Sequence, residues 1–281
     1  MTKPLPPVTG LSARSSLATI DLSWESLGWE PLIDHYRVYA APGHPAAWQP
    51  RESDLVAKTV YPRFVHDGLD PAGEEWTYSV IAVSDAGRRS RPGERTSAAS
   101  EPSVTATGRE MARIGTFDGK SLEFRFAPSG YAKIPAAYPS AQIQYTDGVD
   151  SPDSAWPFLL PGPGDAWAGR KVYTAHWVVE LSQAPSDDMD MAVWLIDTTR
   201  LGGRLEVAVN GVPAQVIELI PGATRGSREG DATLPGSTLV RSFHEFQVPA
   251  APFVAGINTI TFRLAEGGWV AWDAIGLYAR V

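Results

Sequence analysis

Ten tryptophans in 281 residues are the feature of this sequence with the most direct chemical consequence. Two of them, Trp156 and Trp167, stand in an irregular stretch, Ser154 to Lys171, broken by prolines and glycines and closed by Arg170 and Lys171. An indole on a loop offers a flat apolar face to the C–H side of a pyranose ring. Nearby cations can then meet hydroxyls or a uronate carboxylate through charge-assisted hydrogen bonds. The same indoles would equally serve to staple a long loop onto the body beneath it. A second polar loop, 222–237, carries Arg225 and Arg228 among glycines, with Arg241 just beyond. A uronate-rich polymer would favour these arginines, although a solvated loop is the plainer reading.

Alternation sorts other tryptophans. Trp177 is in phase with Val179 and Leu181 and is expected in a core. In the closing stretch, Trp269 shares a face with Asp273, Ile275 and Leu277, and Trp272 lies on the other with Tyr278. One of Trp269 and Trp272 is thus expected to face outward and to touch sugar. The run Asp187-Asp188-Met189-Asp190 offers oxygen ligands for a structural calcium but lacks the loop spacing of a dedicated site. Asp273 is expected to orient a turn or to ligate such an ion. No other cofactor is expected.

Catalytic signals are sparse. The histidines His35, His44, His66, His176 and His244 form no metal-spaced pair, and neither a Gly-x-Ser-x-Gly elbow nor a phosphate-cradling loop occurs. Paired carboxylates from distant strands remain open as an alternative. A formal net charge of −8 argues against nucleic acid, which needs a basic surface. No apolar run approaches the roughly 20 residues of a membrane helix, so no membrane partner is expected. Without cysteine there are no disulfides and no thiol chemistry. The N-terminal Met1-Thr2-Lys3-Pro4 lacks the apolar core of a signal peptide. A secreted chain would carry its leader upstream, so the sequence reads as a piece of a longer protein.

The elements that must position these residues are strands. Apolar residues at 43% and charged residues at 20% can bury a real core, and the 24 prolines and 26 glycines punctuate short apolar runs. Period-2 segments fall at 18–24, 33–39, 64–69 and 76–83, with a last strand of this part at 100–107. After a Ser/Thr/Ala-rich boundary at 97–109, a strand-poor stretch is expected at 128–168. Strands resume at 172–181, 190–196, 203–210, 215–219, 240–248, 256–264 and 269–278. The fold class is all-β, two β-sandwiches in tandem, divided as 1–108 and 109–281.

The first part resembles the fibronectin type III family through Pro7, Leu11, Trp24, Tyr36-x-Val38-Tyr39, Leu69, Tyr78-x-Val80-x-Ala82 and Gly87. The resemblance implies a core Trp24, a buried corner Tyr78 and a spacer or scaffold role. The second part carries Ile114-Gly115-x-x-Asp118-Gly119, Trp156-Pro157-Phe158, Leu205-x-Val207-x-Val209-Asn210-Gly211, Gly256-Ile257-Asn258-Thr259-Ile260 and Trp272-Asp273-Ala274-Ile275. These phrases resemble the C-terminal domain of rhamnogalacturonan lyases, polysaccharide lyase family 4, a galactose-binding-like jelly roll. The family's catalytic domain has no counterpart among these residues. The resemblance implies a non-catalytic carbohydrate-binding region that brings a pectin- or rhamnogalacturonan-acting lyase to its substrate, outside the cell or at its surface. Its partner would be a uronate-containing polysaccharide. Alternatives are a structural domain packing against a missing catalytic domain, a stand-alone lyase or glycosidase, and a cell-surface adhesin.

Overall fold

The computed structural model describes residues 4–28, 32–226 and 239–280. It divides into two compact units, Met1–Thr107 and Gly108–Val281.

The described residues of the first unit form a seven-stranded sandwich. Strands β1 (Ser12–Ser16), β2 (Thr19–Ser23) and β5 (Arg63–His66) form one sheet in the order β1-β2-β5. Strands β3 (Ile33–Pro42), β4 (Leu55–Thr59), β6 (Glu75–Ser84) and β7 (Thr96–Ala99) form the other, in the order β4-β3-β6-β7. Three strands on four, with alternate residues inward, is the sandwich architecture of a fibronectin type III module. Trp24 lies in the core with its ring 5.4 Å from that of Tyr36, edge to face. Tyr78 is fully buried, and its hydroxyl sits 2.8 Å from His66 Nδ1. A tyrosine hydroxyl must find a partner once buried, and here a histidine ring supplies it. The strand expected at 100–107 is instead β7, several residues earlier. Ser103 Oγ accepts the Thr105 N–H at 3.0 Å and starts a single helical turn, Val104–Thr107.

In the second unit, β8 (Arg109–Gly115), β10 (Leu159–Pro161), β12 (Met189–Thr198), β15 (Ser242–Val248) and β17 (Trp269–Ala279) make one sheet. Strands β9 (Gln142–Thr146), β11 (Thr174–Leu181), β13 (Gly203–Val209), β14 (Val212–Leu219) and β16 (Gly256–Gly267) make the other, ordered β14-β13-β16-β11-β9. From β14 on, successive strands change sheets, as in a jelly roll. The stretch expected to lack strands holds two short ones. Strand β9 pairs parallel to β11, and β10 pairs with the start of β17. Both depend on distant partners, so local sequence signals them weakly.

The core between the sheets is aromatic. Trp156, Trp272 and Phe262 have ring centroids 5.8–6.2 Å apart, and Tyr145 lies 6.1 Å from Trp156. Trp177 joins this core, in phase with the buried Val179 and Leu181. Complete burial of an indole contributes about 3 kcal/mol or more by area alone.

Candidate functional site

One end of the second sandwich gathers the β10 to β11 and β12 to β13 connections, the tight β16–β17 hairpin, and residues 220–226, which follow β14. Backbone hydrogen bonds lock them together. Gly162 N donates to Gly268 O and Gly164 N to Gly267 O, both short, while Thr224 N reaches Thr198 O at 3.1 Å. The approach is close enough to demand glycine. A Cβ on Gly203 would lie 2.2 Å from Glu266 O, and one on Gly267 would lie 2.2 Å from Gly202 O. Both also have positive φ, +150° and +99°.

Two buried carboxylates shape this end. Asp197, at the end of β12, accepts the N–H groups of Ala223 (2.7 Å), Arg225 (2.7 Å) and Gly226 (2.8 Å). Three charge-assisted bonds to one fully buried carboxylate fix the 223–226 loop. Asp165 accepts the Trp167 N–H at 2.9 Å and, in a short hydrogen bond, the Tyr131 hydroxyl. Burial, then the Asp165 contact, pushes the Tyr131 phenol well above its ordinary value, so it stays a donor. The turn that displays Trp167 is therefore held by hydrogen bonds within the chain itself.

Trp167 is 84% exposed. Arg170 follows in a left-handed conformation (φ +55°), its own N–H bonded to Asp165 O, and its side chain is exposed. Lys171 Nζ donates to Pro139 O at 2.8 Å. Leu201, 68% exposed, reaches the same loop: a Cβ on Gly164 would sit 3.0 Å from its Cδ1. This loop thus displays an exposed indole, with Leu201 against its Gly164 and the cations Arg170 and Lys171 a few residues on. That combination can stack a sugar ring and meet an acidic substituent. Arg225 stands on the Asp197-anchored loop, and Arg228 lies outside the described residues.

The other expected sugar contacts are not on this surface. Trp156 is fully buried because its carbonyl accepts Arg125 N–H at 2.9 Å and β10 follows immediately, carrying the loop into the core. Trp272 is buried in the same aromatic cluster. Trp269 belongs to the same buried core and is only 6% exposed, with Gly226 packed on its ring. The simple alternation fails because β17 bulges: Trp194 pairs with Ala274 and Leu195 with Trp272, leaving Asp273 unpaired between them.

The bulge redirects Asp273 to a turn. Its Oδ1 accepts Gly119 N–H (2.8 Å) and Lys120 N–H (3.1 Å), while buried Oδ2 has no partner among the described residues. Burial pushes this carboxyl up to about 7, against the pull of those two amides. The run at 187–190 is dispersed: Asp188 takes Ala250 N–H, Asp190 pairs with Arg280, and Asp187 takes the Ser186 hydroxyl. Among the described residues no group of three or more His, Cys, Asp or Glu side chains is placed to hold a metal ion. No helix among the described residues is long and apolar enough to cross a membrane.

Sequence reasoning missed Asp197, Tyr131, Leu201 and the anchoring role of Asp165. The one available signal was the polar run Asp197-Thr198-Thr199 closing an otherwise apolar strand.

The chain is similar to the fibronectin type III domain of human fibronectin type III domain containing protein 3, at 12% identity and a TM-score of 0.30, covering 37% of this chain and 93% of that one. It is similar to a family 35 carbohydrate-binding module from an environmental isolate, at 12% identity and a TM-score of 0.29; this match covers 38% of the chain and 66% of the module. Pectate lyase PelI from Erwinia chrysanthemi, solved with tetragalacturonic acid, matches at 14% identity and a TM-score of 0.26, over 37% of this chain and 30% of that one. No curated protein matches the chain. The family model "CBM-like: Polysaccharide lyase family 4, domain III" matches residues 110–277. That is more than half of the sequence, and the chain belongs to this family of carbohydrate-binding-module-like lyase domains.

Proposed function

We propose that the chain is a non-catalytic accessory region that binds a uronate-containing polysaccharide of the pectin or rhamnogalacturonan class and holds a polysaccharide lyase on it. The observation that carries this reading is Trp167, 84% exposed on a turn pinned by Asp165. A large exposed indole is unfavourable to maintain for stability alone, and pre-ordering it lowers the entropic cost of stacking. Arg170, Lys171 and Arg225 favour an acidic sugar, whose carboxylate they would meet at the rim. Membership of a carbohydrate-binding-module-like family supports the ligand class. In this role the chain works outside the cell or at its surface, and tethering raises the enzyme's effective concentration at the polymer.

The test is retention of the full chain in affinity gels containing polygalacturonate, rhamnogalacturonan or a neutral glucan, beside Trp167→Ala. Retention by the acidic polymers that Trp167→Ala abolishes supports the reading. Absence of retention by every polymer overturns it in favour of a structural role beside a catalytic domain.

A further inference from the structure

The first unit contains a groove that its own packing does not require. Strand β3 ends at Pro42, and the chain loops through 43–54 before β4 begins. The groove there has a volume of about 520 Å³, within the ~300–1,000 Å³ range of small-ligand sites. Pro42, Pro45 and Trp48 supply apolar wall, and Gln49, Arg51 and Asp54 supply polar edge. Trp48 is half-buried and takes no part in the sandwich core around Trp24, Tyr36 and Tyr78.

The loop is nevertheless fixed. Arg95 Nη1 donates to Trp48 O at 3.0 Å, and its Nη2 donates to Ala46 O at 3.2 Å. Asp54 Oδ2 accepts both Trp48 Nε1 (2.9 Å) and Arg51 N–H (3.0 Å). With its one donor satisfied, the indole has only apolar ring left to offer. Gln49 and Arg51 are exposed beside it. This pairing of one held indole with a planar guanidinium and an amide suits a ring with an apolar C–H face and a polar, acidic edge. A proline-rich peptide would instead want several aromatic ridges, and Trp48 is the single aromatic residue lining the groove among the described residues.

We propose that this groove is a second saccharide subsite, with Trp48 stacking a pyranose ring and Arg51 and Gln49 meeting its carboxylate and hydroxyls. The ligand class rests on the function proposed above; the groove and its ordered loop do not. Carried on the same chain as the Trp167 loop, a second contact would favour long polymers over short oligomers.

The experiment titrates the full chain with trigalacturonate and with polygalacturonate by calorimetry, for wild type, Trp48→Ala, Trp167→Ala and the double variant. Indole N–H cross-peaks are followed by NMR, with that of Trp48 identified by its loss in Trp48→Ala. Polymer affinity is expected to fall about tenfold in Trp48→Ala and further in the double variant, and trigalacturonate should move the Trp48 cross-peak. Trp48→Phe keeps a stacking face and serves if the alanine variant melts early. If Trp167→Ala alone removes all binding, while Trp48→Ala leaves affinity unchanged and the Trp48 cross-peak is still, the second subsite is overturned and the primary function stands. If no variant, wild type included, binds either ligand, both readings fail.

Discussion

Asp273 should make the second unit less stable as pH rises from about 4 to about 7, the reverse of a salt-bridged carboxylate. Its side chain is 1% exposed; two amides satisfy Oδ1, and Oδ2 has no partner among the described residues. Burial raises its pKa from an ordinary 3.8 to about 7. Between those values the folded chain holds a proton that the unfolded chain releases, so raising the pH favours unfolding across the window. Above about 7 both states are ionised and this group adds no further slope. The separation corresponds to an upper value of about 4 kcal/mol, at roughly 1.4 kcal/mol per pH unit. Asp273→Asn keeps an oxygen for Gly119 and Lys120 and removes the buried charge. It should therefore gain about 2–4 kcal/mol over wild type at pH 8 and little at pH 4. The assay is urea denaturation of both proteins at half-unit steps from pH 4 to 8. Subtracting the two curves removes the slopes of Glu123 and Asp147, which burial also raises, and of His244, which burial lowers. A difference curve that is flat across the window would refute the argument.

Trp167→Ala should leave the melting temperature nearly unchanged while weakening polymer binding by about 1–2 kcal/mol, since one indole face is lost from an exposed site; calorimetry beside thermal melts separates the two effects. Trp156→Ala should do the opposite, costing about 3–5 kcal/mol of stability in chemical denaturation because it empties the aromatic core. Asp197→Ala strands three amide donors and should cost about 3 kcal/mol or more, with faster amide exchange at Ala223, Arg225 and Gly226. Binding to polygalacturonate should weaken as salt rises if Arg170, Lys171 and Arg225 face carboxylates, measured as affinity between roughly 50 and 500 mM NaCl, over which the screening length falls from about 14 to about 4 Å.

How much was legible in the sequence depended on how local the cause was. Trp177 was placed correctly because Val179 and Leu181 repeat its phase on a regular strand. Trp24 and Tyr78 were placed in a core by the resemblance to the fibronectin type III family, and both are buried; the segments 256–264 and 269–278 were read as strands and are β16 and β17. Trp269 and Trp272 could not be resolved this way. A bulge at Asp273 shifts the phase within the strand, and a loop from 43 residues earlier in the chain packs Gly226 over Trp269. Trp156 and Trp167, eleven residues apart in one Pro/Gly-rich segment, looked equivalent. Which of the two turned inward was decided by pairing of Leu159–Pro161 with β17 and by capture of the Trp167 amide by Asp165.

The sequence by itself therefore determined the all-β class, the strands of regular period and the supply of indoles and arginines that could serve a sugar. These are properties of neighbours a few residues apart, where alternation and turn chemistry act. The tertiary structure decided which indole reaches solvent and which carboxylates hold the loops, and it turned Asp273 into a buried acid. Apart from the local capture of the Trp167 amide by Asp165, those outcomes rest on hydrogen bonds and packing between residues tens to more than a hundred positions apart, such as Asp273 with Gly119, which no local pattern encodes.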